Sequence, residues 1–239
     1  MRTMTNPTFL YLRRTMRKLG LTPLLGRFIA HRDYEGALAT RMMIEVKEGD
    51  CVWDVGANIG HYTHRFSRIV GTSGRVIAFE PSPTNASHLR DAVEGLANVT
   101  VMQCALSDRN ERGGLIQGDD KIGATSHVVS GDEADIEAAE VELYTAQSIV
   151  ESGRSSVPNV VKIDVEGHEF EVLRGFDELL SNPALRDMFI EVHFGILDAS
   201  GRSTTPGEIV AALDRAGFQT TWLDPSHLHA RRVGERRWG

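Results

Sequence analysis

Residues 52–62 read V-W-D-V-G-A-N-I-G-H-Y, an apolar strand that runs into an acidic, glycine-punctuated turn and then into the first residues of a helix. Gly56 and Gly60 let the backbone turn sharply and approach a ligand, because a residue without a Cβ takes positive φ at little cost. The spacing D-x-G-x-N-x-G lacks the G-x-G-x-x-G arrangement of a nicotinamide or flavin site. A dinucleotide pyrophosphate sits against a helix N-terminus, where free N–H groups and the helix dipole favour anions. The carboxylate of Asp54 would repel it, and suits instead a ligand that carries positive charge. S-adenosylmethionine has a sulfonium, an ammonium group and a ribose, and no phosphate, so the loop fits it better than NAD.

The flanking sequence supports a nucleoside site. Arg75 to Phe79 form a second short apolar run ending in Glu80 and Pro81. An acid at the end of a second strand accepts hydrogen bonds from ribose hydroxyls in dinucleotide and adenosylmethionine sites alike. Asp54 and Glu80 together, at this spacing, predict a cofactor pocket rather than two helix caps. Tyr62, Phe66, Ile69 and Val70 recur at helical spacing, as do Leu89, Ala92, Val93 and Leu96 after Ser82-Pro83. Further strands are predicted at 99–102, 160–165, 189–192 and 218–223, with a helix between Phe170 and Asp187. Thr205-Pro206-Gly207-Glu208 has the spacing of a capping box, and Gly217 supplies the stop. Alternating strands and helices define an α/β fold. Arg109 to Ser156 breaks the alternation; it is rich in glycine and acids and predicts a hairpin and a loop over the carboxyl edge of the sheet, where substrate selection would lie.

The length suits one substantial core, so a single domain over residues 46–239 is expected, preceded by a basic helical extension over 1–45. The net charge of −7 excludes nucleic acid as the main partner, since phosphate backbones demand clustered basic surface. Nothing acidic precedes Asp33, whereas Arg2, Arg13, Arg14, Arg17, Lys18, Arg27 and Arg32 do. This segment reads as a helix docked on the domain; a transit peptide or a helix lying on a membrane surface is the competing reading. Cys51 and Cys104 sit in apolar surroundings without metal or redox spacing, so both read as buried thiols in a reducing compartment, and a cytoplasmic location is expected.

A second polar cluster, K-I-D-V-E-G-H-E, occupies residues 162–169. Asp164 ends a strand and should face the same edge as Asp54 and Glu80, while Glu166 and His168 enter the turn beyond. In F-I-E-V-H, residues 189–193, Glu191 and His193 fall on one side of a strand. His61-x-x-His64 lacks the third ligand of a zinc site; His61 reads as a residue bordering the cofactor pocket. His227-x-His229, beside Arg231, Arg232, Arg236 and Arg237, reads as a solvated tail.

The chain resembles the FkbM-type methyltransferases. The resemblance rests on V-W-D-V-G-A-N-I-G-H-Y-T at 52–63, F-E-P-S-P at 79–83, A-L-S-D at 105–108 and K-I-D-V-E-G-H-E-F-E-V-L-R-G at 162–175, and covers the chain from about Gly49 to Val192. It implies a Rossmann-like class I fold with helices on both faces of a seven-stranded sheet whose last strand is antiparallel, and an S-adenosylmethionine-dependent O-methyltransferase acting on hydroxyls of sugars, glycans or polyketide-type natural products. By match, Asp54, Gly56, Asn58 and Gly60 would surround the methionine part, with Asp164 facing the same site, Glu80 would take the ribose, and Ser107 or Asp108 the adenine side.

Methyl transfer is an in-line displacement, so the protein must align the acceptor oxygen, exclude water and accept a proton. His168, His193, Glu166 and Glu191 are the candidate bases, the histidines being better matched to neutral pH. Asp164 with Glu191 or His193 could instead hold a divalent cation such as Mg, as some related methyltransferases do at these two strand ends. An NAD-dependent oxidoreductase and a non-catalytic cofactor-binding scaffold are the competing functions.

Overall fold

A computed structural model describes residues 31–116, 127–129 and 139–233. Its main sheet is formed by β1 (Cys51–Val55), β2 (Arg75–Phe79), β3 (Val99–Met102), β8 (Val160–Ile163), β9 (Asp187–Glu191), β10 (Phe218–Trp222) and β11 (His227–Arg232). The spatial order is β10-β11-β9-β8-β1-β2-β3, with β11 antiparallel to both neighbours and the remaining pairs parallel. The chain order runs outward as β1, β2, β3 on one side and as β8, β9 on the other, where β11 then inserts between β9 and β10. The crevice between β1 and β8, at the carboxyl ends, is where open α/β sheets bind ligands.

Every residue of β1 is buried, as expected of a central strand covered on both faces. On one face Trp53 lies between Phe79 and Phe176, with ring centroids 5.1 and 5.7 Å away. On the other, Val52 joins Phe66 and Val70 of α2 (His61–Val70) and Leu38 and Met42 of α1 (His31–Glu45). The predicted extension therefore contributes its last turns to the core, while residues 1–30 lie outside the described residues. No helix among the described residues is long and apolar enough to cross a membrane. Helix α3 (Pro83–Ala92) starts where predicted, with the Ser82 hydroxyl accepting from the Asn85 N–H and Pro83 in the first turn.

The segment after β3 folds into a second sheet of order β4-β7-β5-β6, built from β4 (Ala105–Leu106), β5 (Glu111–Ile116), β6 (His127–Val129) and β7 (Ala139–Tyr144). β5 and β7 pair antiparallel and bury Leu115, Val141 and Leu143 together; the rest of the expected loop lies outside the described residues. Helix α4 (Ala146–Glu151) returns the chain to β8, α5 (Glu169–Arg174) and a 3-10 turn lead to β9, and α6 (Phe194–Ala199) and α7 (Thr205–Arg215) precede β10. Thr204, one residue before the predicted cap, holds the cap position of α7 without a side-chain bond to the backbone; its Oγ1 lies 3.3 Å from Glu208 Oε1, and Gly217 at φ 85° follows the end.

His227 to Arg232 is not a solvated tail; it is β11, inserted between β9 and β10. The imidazole of His229 stacks on Phe189 at 4.3 Å and its Nε2 lies 2.8 Å from Asp187 Oδ1, which also accepts from Arg231 Nε at 3.1 Å. Arg231 reaches Glu45 at the end of α1, and Arg232 donates to the carbonyls of Leu180, Leu185 and Ala216. His227 to Ala230 are buried, and the two arginines that follow, nearer the surface, find partners distant in sequence.

Burial alone would push the Asp187 carboxyl up, but the bonds from His229 and Arg231 outweigh it and hold it below the usual carboxylate range. A depressed native value contributes stability above the unfolded value of about 3.9 and loses it as pH falls below that. Asp187→Asn is expected to cost about 2–3 kcal/mol at pH 7, a drop in Tm of roughly 5–10 °C. The gap from the parent should narrow in melts below about pH 4; a constant gap would show that the charge contributes nothing.

Candidate active site

The carboxyl ends of β1, β2, β8 and β9 surround an open cavity of about 190 Å³. Gly56 and Asn58 line it from the turn after β1, Glu80 and Pro81 from the end of β2, and Cys104, Ala105 and Leu106 from beyond β3. Asp164, Glu166, His168, Glu191 and His193 close the remaining side.

The first turn is held by its neighbours. The N–H groups of Gly56 and Ala57 both donate to the Phe79 carbonyl at 3.0 Å. Asn58, at φ 50°, donates its N–H to Glu80 Oε2 at 2.8 Å, and Glu80 Oε1 accepts the Ser82 N–H at 2.9 Å. Burial raises the Glu80 pKa, and the two backbone bonds offset this only in part. Asn58 Oδ1 is buried without a hydrogen-bond partner, an acceptor left for a ligand donor.

Several of the predicted residues lie away from the cavity wall. Asp54 does not face the cavity: it is fully buried under α2, accepts from Thr63 Oγ1 at 2.7 Å, and has Lys162 Nζ 3.1 Å from Oδ1. The positive charge its position called for is internal. Gly60 is not among the lining residues; at φ 91° it opens α2 in the left-handed region that favours glycine. Ser107 is buried with Oγ 3.0 Å from His168 Nε2, and Asp108 pairs with Arg174. Cys104 to Leu106 line the cavity where these two were expected. His61 is exposed and not among the lining residues. Cys51 and Cys104 are buried and unbridged, as expected.

The acidic edge is organised around two histidines. His193 Nδ1 lies 2.6 Å from Glu169 Oε1, and Nε2 lies 3.3 Å from Glu166, 3.7 Å from Asp164 and 4.0 Å from Glu191. Burial lowers its pKa, but the bonds to Glu166 and Glu169 prevail and push it up to about 11. It is therefore an imidazolium at neutral pH and a poor proton acceptor. His168 is the opposite case: burial lowers its pKa against the pull of Glu171, and it stays neutral. The Asp164 carboxyl is raised by burial and again by Glu191, against the opposing charge of Lys162.

His227, hidden by the tail reading, belongs to this edge. Its Nδ1 lies 2.7 Å from Asp224 Oδ2 and its Nε2 3.2 Å from Glu191 Oε2. Burial lowers its pKa, while Asp224 and Glu191 raise it to about 9. The available signal was alternation: H-L-H spaced like E-V-H, on strands whose register pairs His227 with Glu191. Asp164, Glu191 and His193 offer ligand atoms all within 4.8 Å of one another, a set that could hold a cation once His193 gives up a proton.

This arrangement has known counterparts. Residues 54–220 match the model of the methyltransferase FkbM domain, more than half of the chain. The hexuronic acid methyltransferase AglP of Haloferax volcanii is 34% identical over 156 residues, which cover 65% of this chain and 61% of that protein. The 31-O-demethyl-FK506 methyltransferase FkbM of Streptomyces tacrolimicus is 31% identical over 208 residues, covering 73% of this chain and 75% of that protein. The chain thus spans about three fifths of the first relative's length and three quarters of the second's. Among solved structures, Aeropyrum pernix fibrillarin with natively bound S-adenosyl-L-methionine superposes with a TM-score of 0.50 at 18% identity, over 83% of this chain and 73% of that one. A Streptococcus mutans protein in complex with SAH gives 0.53 at 11% identity, over 86% and 100%. These likenesses carry the fold alone, that of the Rossmann-like class I methyltransferases. With the motif residues gathered at one crevice and the family model matching through them, the chain belongs to the FkbM methyltransferase family.

Proposed function

We propose that this protein is an S-adenosylmethionine-dependent methyltransferase that methylates a hydroxyl oxygen of a sugar, glycan or polyketide-type acceptor. The observation that carries this reading is Glu80: a carboxylate at the cavity, fixed by one N–H from each of the two loops that would hold a nucleoside. The unpartnered Asn58 Oδ1 fits an ammonium donor on the methionine end, and the apolar wall of Ala105 and Leu106 fits a base. Bound there, the cofactor would supply a methyl group on a sulfonium, an electrophile for an incoming oxygen. An NAD pyrophosphate fits poorly, because Glu80, Asp164, Glu166 and Glu191 all line the cavity. The names of the relatives agree: one specifies a hexuronic acid, and the other a molecule lacking an O-methyl group.

The chain's own part is to align the acceptor and take its proton. Asp164 is assigned as the acceptor of that proton, since it lines the cavity and burial raises its pKa above the usual carboxylate range. His193, held as an imidazolium, orients Glu166 and steadies the developing charge. His168 presents its Nε2 to Ser107 and shapes the wall. A second reading, favoured by the 4.8 Å grouping, has Asp164, Glu191 and His193 hold a divalent cation that lowers the pKa of the hydroxyl.

Calorimetric titration with S-adenosylmethionine and NAD, followed by labelled-methyl transfer to a panel of hydroxylated glycosides with and without EDTA, tests this. Saturable binding of the first cofactor alone and label in an acceptor are expected. Activity lost with EDTA and restored by Mg²⁺ would favour the cation. Binding of NAD instead overturns the proposal, and cofactor binding without transfer to any acceptor points to the scaffold.

A further inference from the structure

Lys162 belongs to a central strand, is 5% exposed, and has no place in the chemistry above. A buried ammonium is costly unless each of its three N–H groups finds an acceptor. Its Nζ donates to the Gly56 carbonyl at 3.1 Å and is ion-paired with Asp54 Oδ1 at 3.1 Å and Asp164 Oδ2 at 3.5 Å. These oxygens come from the end of β1, the turn that follows it and the end of β8. The Tyr62 ring centroid lies 5.4 Å away, within cation–π range.

The position is set by the sheet. β1 and β8 are adjacent and parallel, with Lys162 opposite Asp54 in register. The cofactor turn crosses this pair so closely that a Cβ on Gly56 would lie 1.8 Å from the Asp164 carbonyl oxygen. The ammonium thus sits beneath the turn, where the cofactor half of the crevice meets the acceptor half.

We propose that Lys162 is the positioning residue of the cofactor turn, its ammonium binding the Gly56 carbonyl between the carboxylates of Asp54 and Asp164 and so fixing the turn against the acceptor edge. The inference rests on the cofactor reading above for its link to affinity, but its structural content does not. Neutralising Asp54 alone would require a cation near that carboxylate. The bond to a backbone carbonyl of the turn goes further, because it fixes where the turn lies.

The test compares wild type, Lys162→Met and the double variant Asp54→Asn/Lys162→Met by thermal melting, calorimetric titration with SAH, and amide hydrogen exchange of residues 56–60. Lys162→Met leaves the buried carboxylate of Asp54 without its cation and is expected to melt lower and to bind SAH at least about 10-fold more weakly. The double variant removes the Asp54 charge and should recover much of the Tm. Its SAH affinity should stay about 10-fold low and its turn amides should exchange faster than wild type, because nothing holds the Gly56 carbonyl. Affinity and protection that return with Tm would reduce Lys162 to a counter-ion and overturn the proposal, as would a Lys162→Met protein that binds like wild type. If wild type binds no SAH, the cofactor reading fails by itself. Hydrogen exchange then still decides the inference: unchanged protection in the double variant overturns it.

Discussion

Gly56→Ala is expected to lose about 3–4 kcal/mol of stability and to weaken S-adenosylmethionine binding at least about 100-fold. Two costs combine. At φ 74° an alanine Cβ is strained by roughly 1–2 kcal/mol. That Cβ would also lie 1.8 Å from the Asp164 carbonyl oxygen and 2.9 Å from its carbon, and these are backbone atoms that cannot swing aside. The turn must lift, breaking its paired bonds to the Phe79 carbonyl and moving Asn58 away from Glu80. Gly95→Ala is the control: its φ of 82° is as positive, but nothing lies within 4 Å of its Cβ. It should cost about 1 kcal/mol and leave affinity intact. Melts and calorimetry of the two variants separate strain from collision. Equal behaviour would show that the close approach to β8 has no role in binding.

What could be read from the sequence was local. The strand-turn-helix at 52–62, the acid closing β2 and the cluster after β8 lie in continuous stretches whose periodicity and glycine spacing report directly on backbone geometry. They place Gly56, Asn58, Glu80, Asp164, Glu166, His168, Glu191 and His193 around one cavity. The failures share another cause. Asp54 was expected to need a positive ligand, and the cation it meets, Lys162, lies 108 residues away on a neighbouring strand. β11 has the polar sequence H-L-H-A-R-R, which reads as solvated unless one knows that Asp187 and Glu45 wait across the fold. Such pairing leaves little local pattern, and for His227 only the alternation H-L-H and the nearby Asp224 hint at a buried strand. Ser107, expected on the adenine side, follows the residues that line the cavity and bonds to His168.

Glu80→Gln, a change of one atom, should be nearly as damaging as Glu80→Ala. If Glu80 served only to accept the ribose hydroxyls, glutamine would keep one acceptor, lose about 10-fold in affinity and leave the melt unchanged. The structure assigns the carboxylate a prior task. Both oxygens already accept backbone N–H groups, from Asn58 at 2.8 Å and from Ser82 at 2.9 Å, so one residue ties the turn after β1 to the start of α3. A carboxylate has lone pairs to spare for a ribose after meeting both; a carboxamide has one oxygen, and its NH₂ would face the second N–H donor. A donor opposing a donor in a buried site costs about 1–3 kcal/mol, and the chain can relieve it only by opening one of the loops. Both variants are therefore expected to lose about 100-fold in S-adenosylmethionine affinity and several degrees in Tm, read by calorimetry and thermal melting. A glutamine variant that melts like wild type and binds within about fivefold would remove the loop-tying role and leave Glu80 as a ribose acceptor alone. If the double loss is found, the cofactor pocket is built by the same carboxylate that fills it, which explains why the residue stands buried at the cavity despite a pKa raised by its burial.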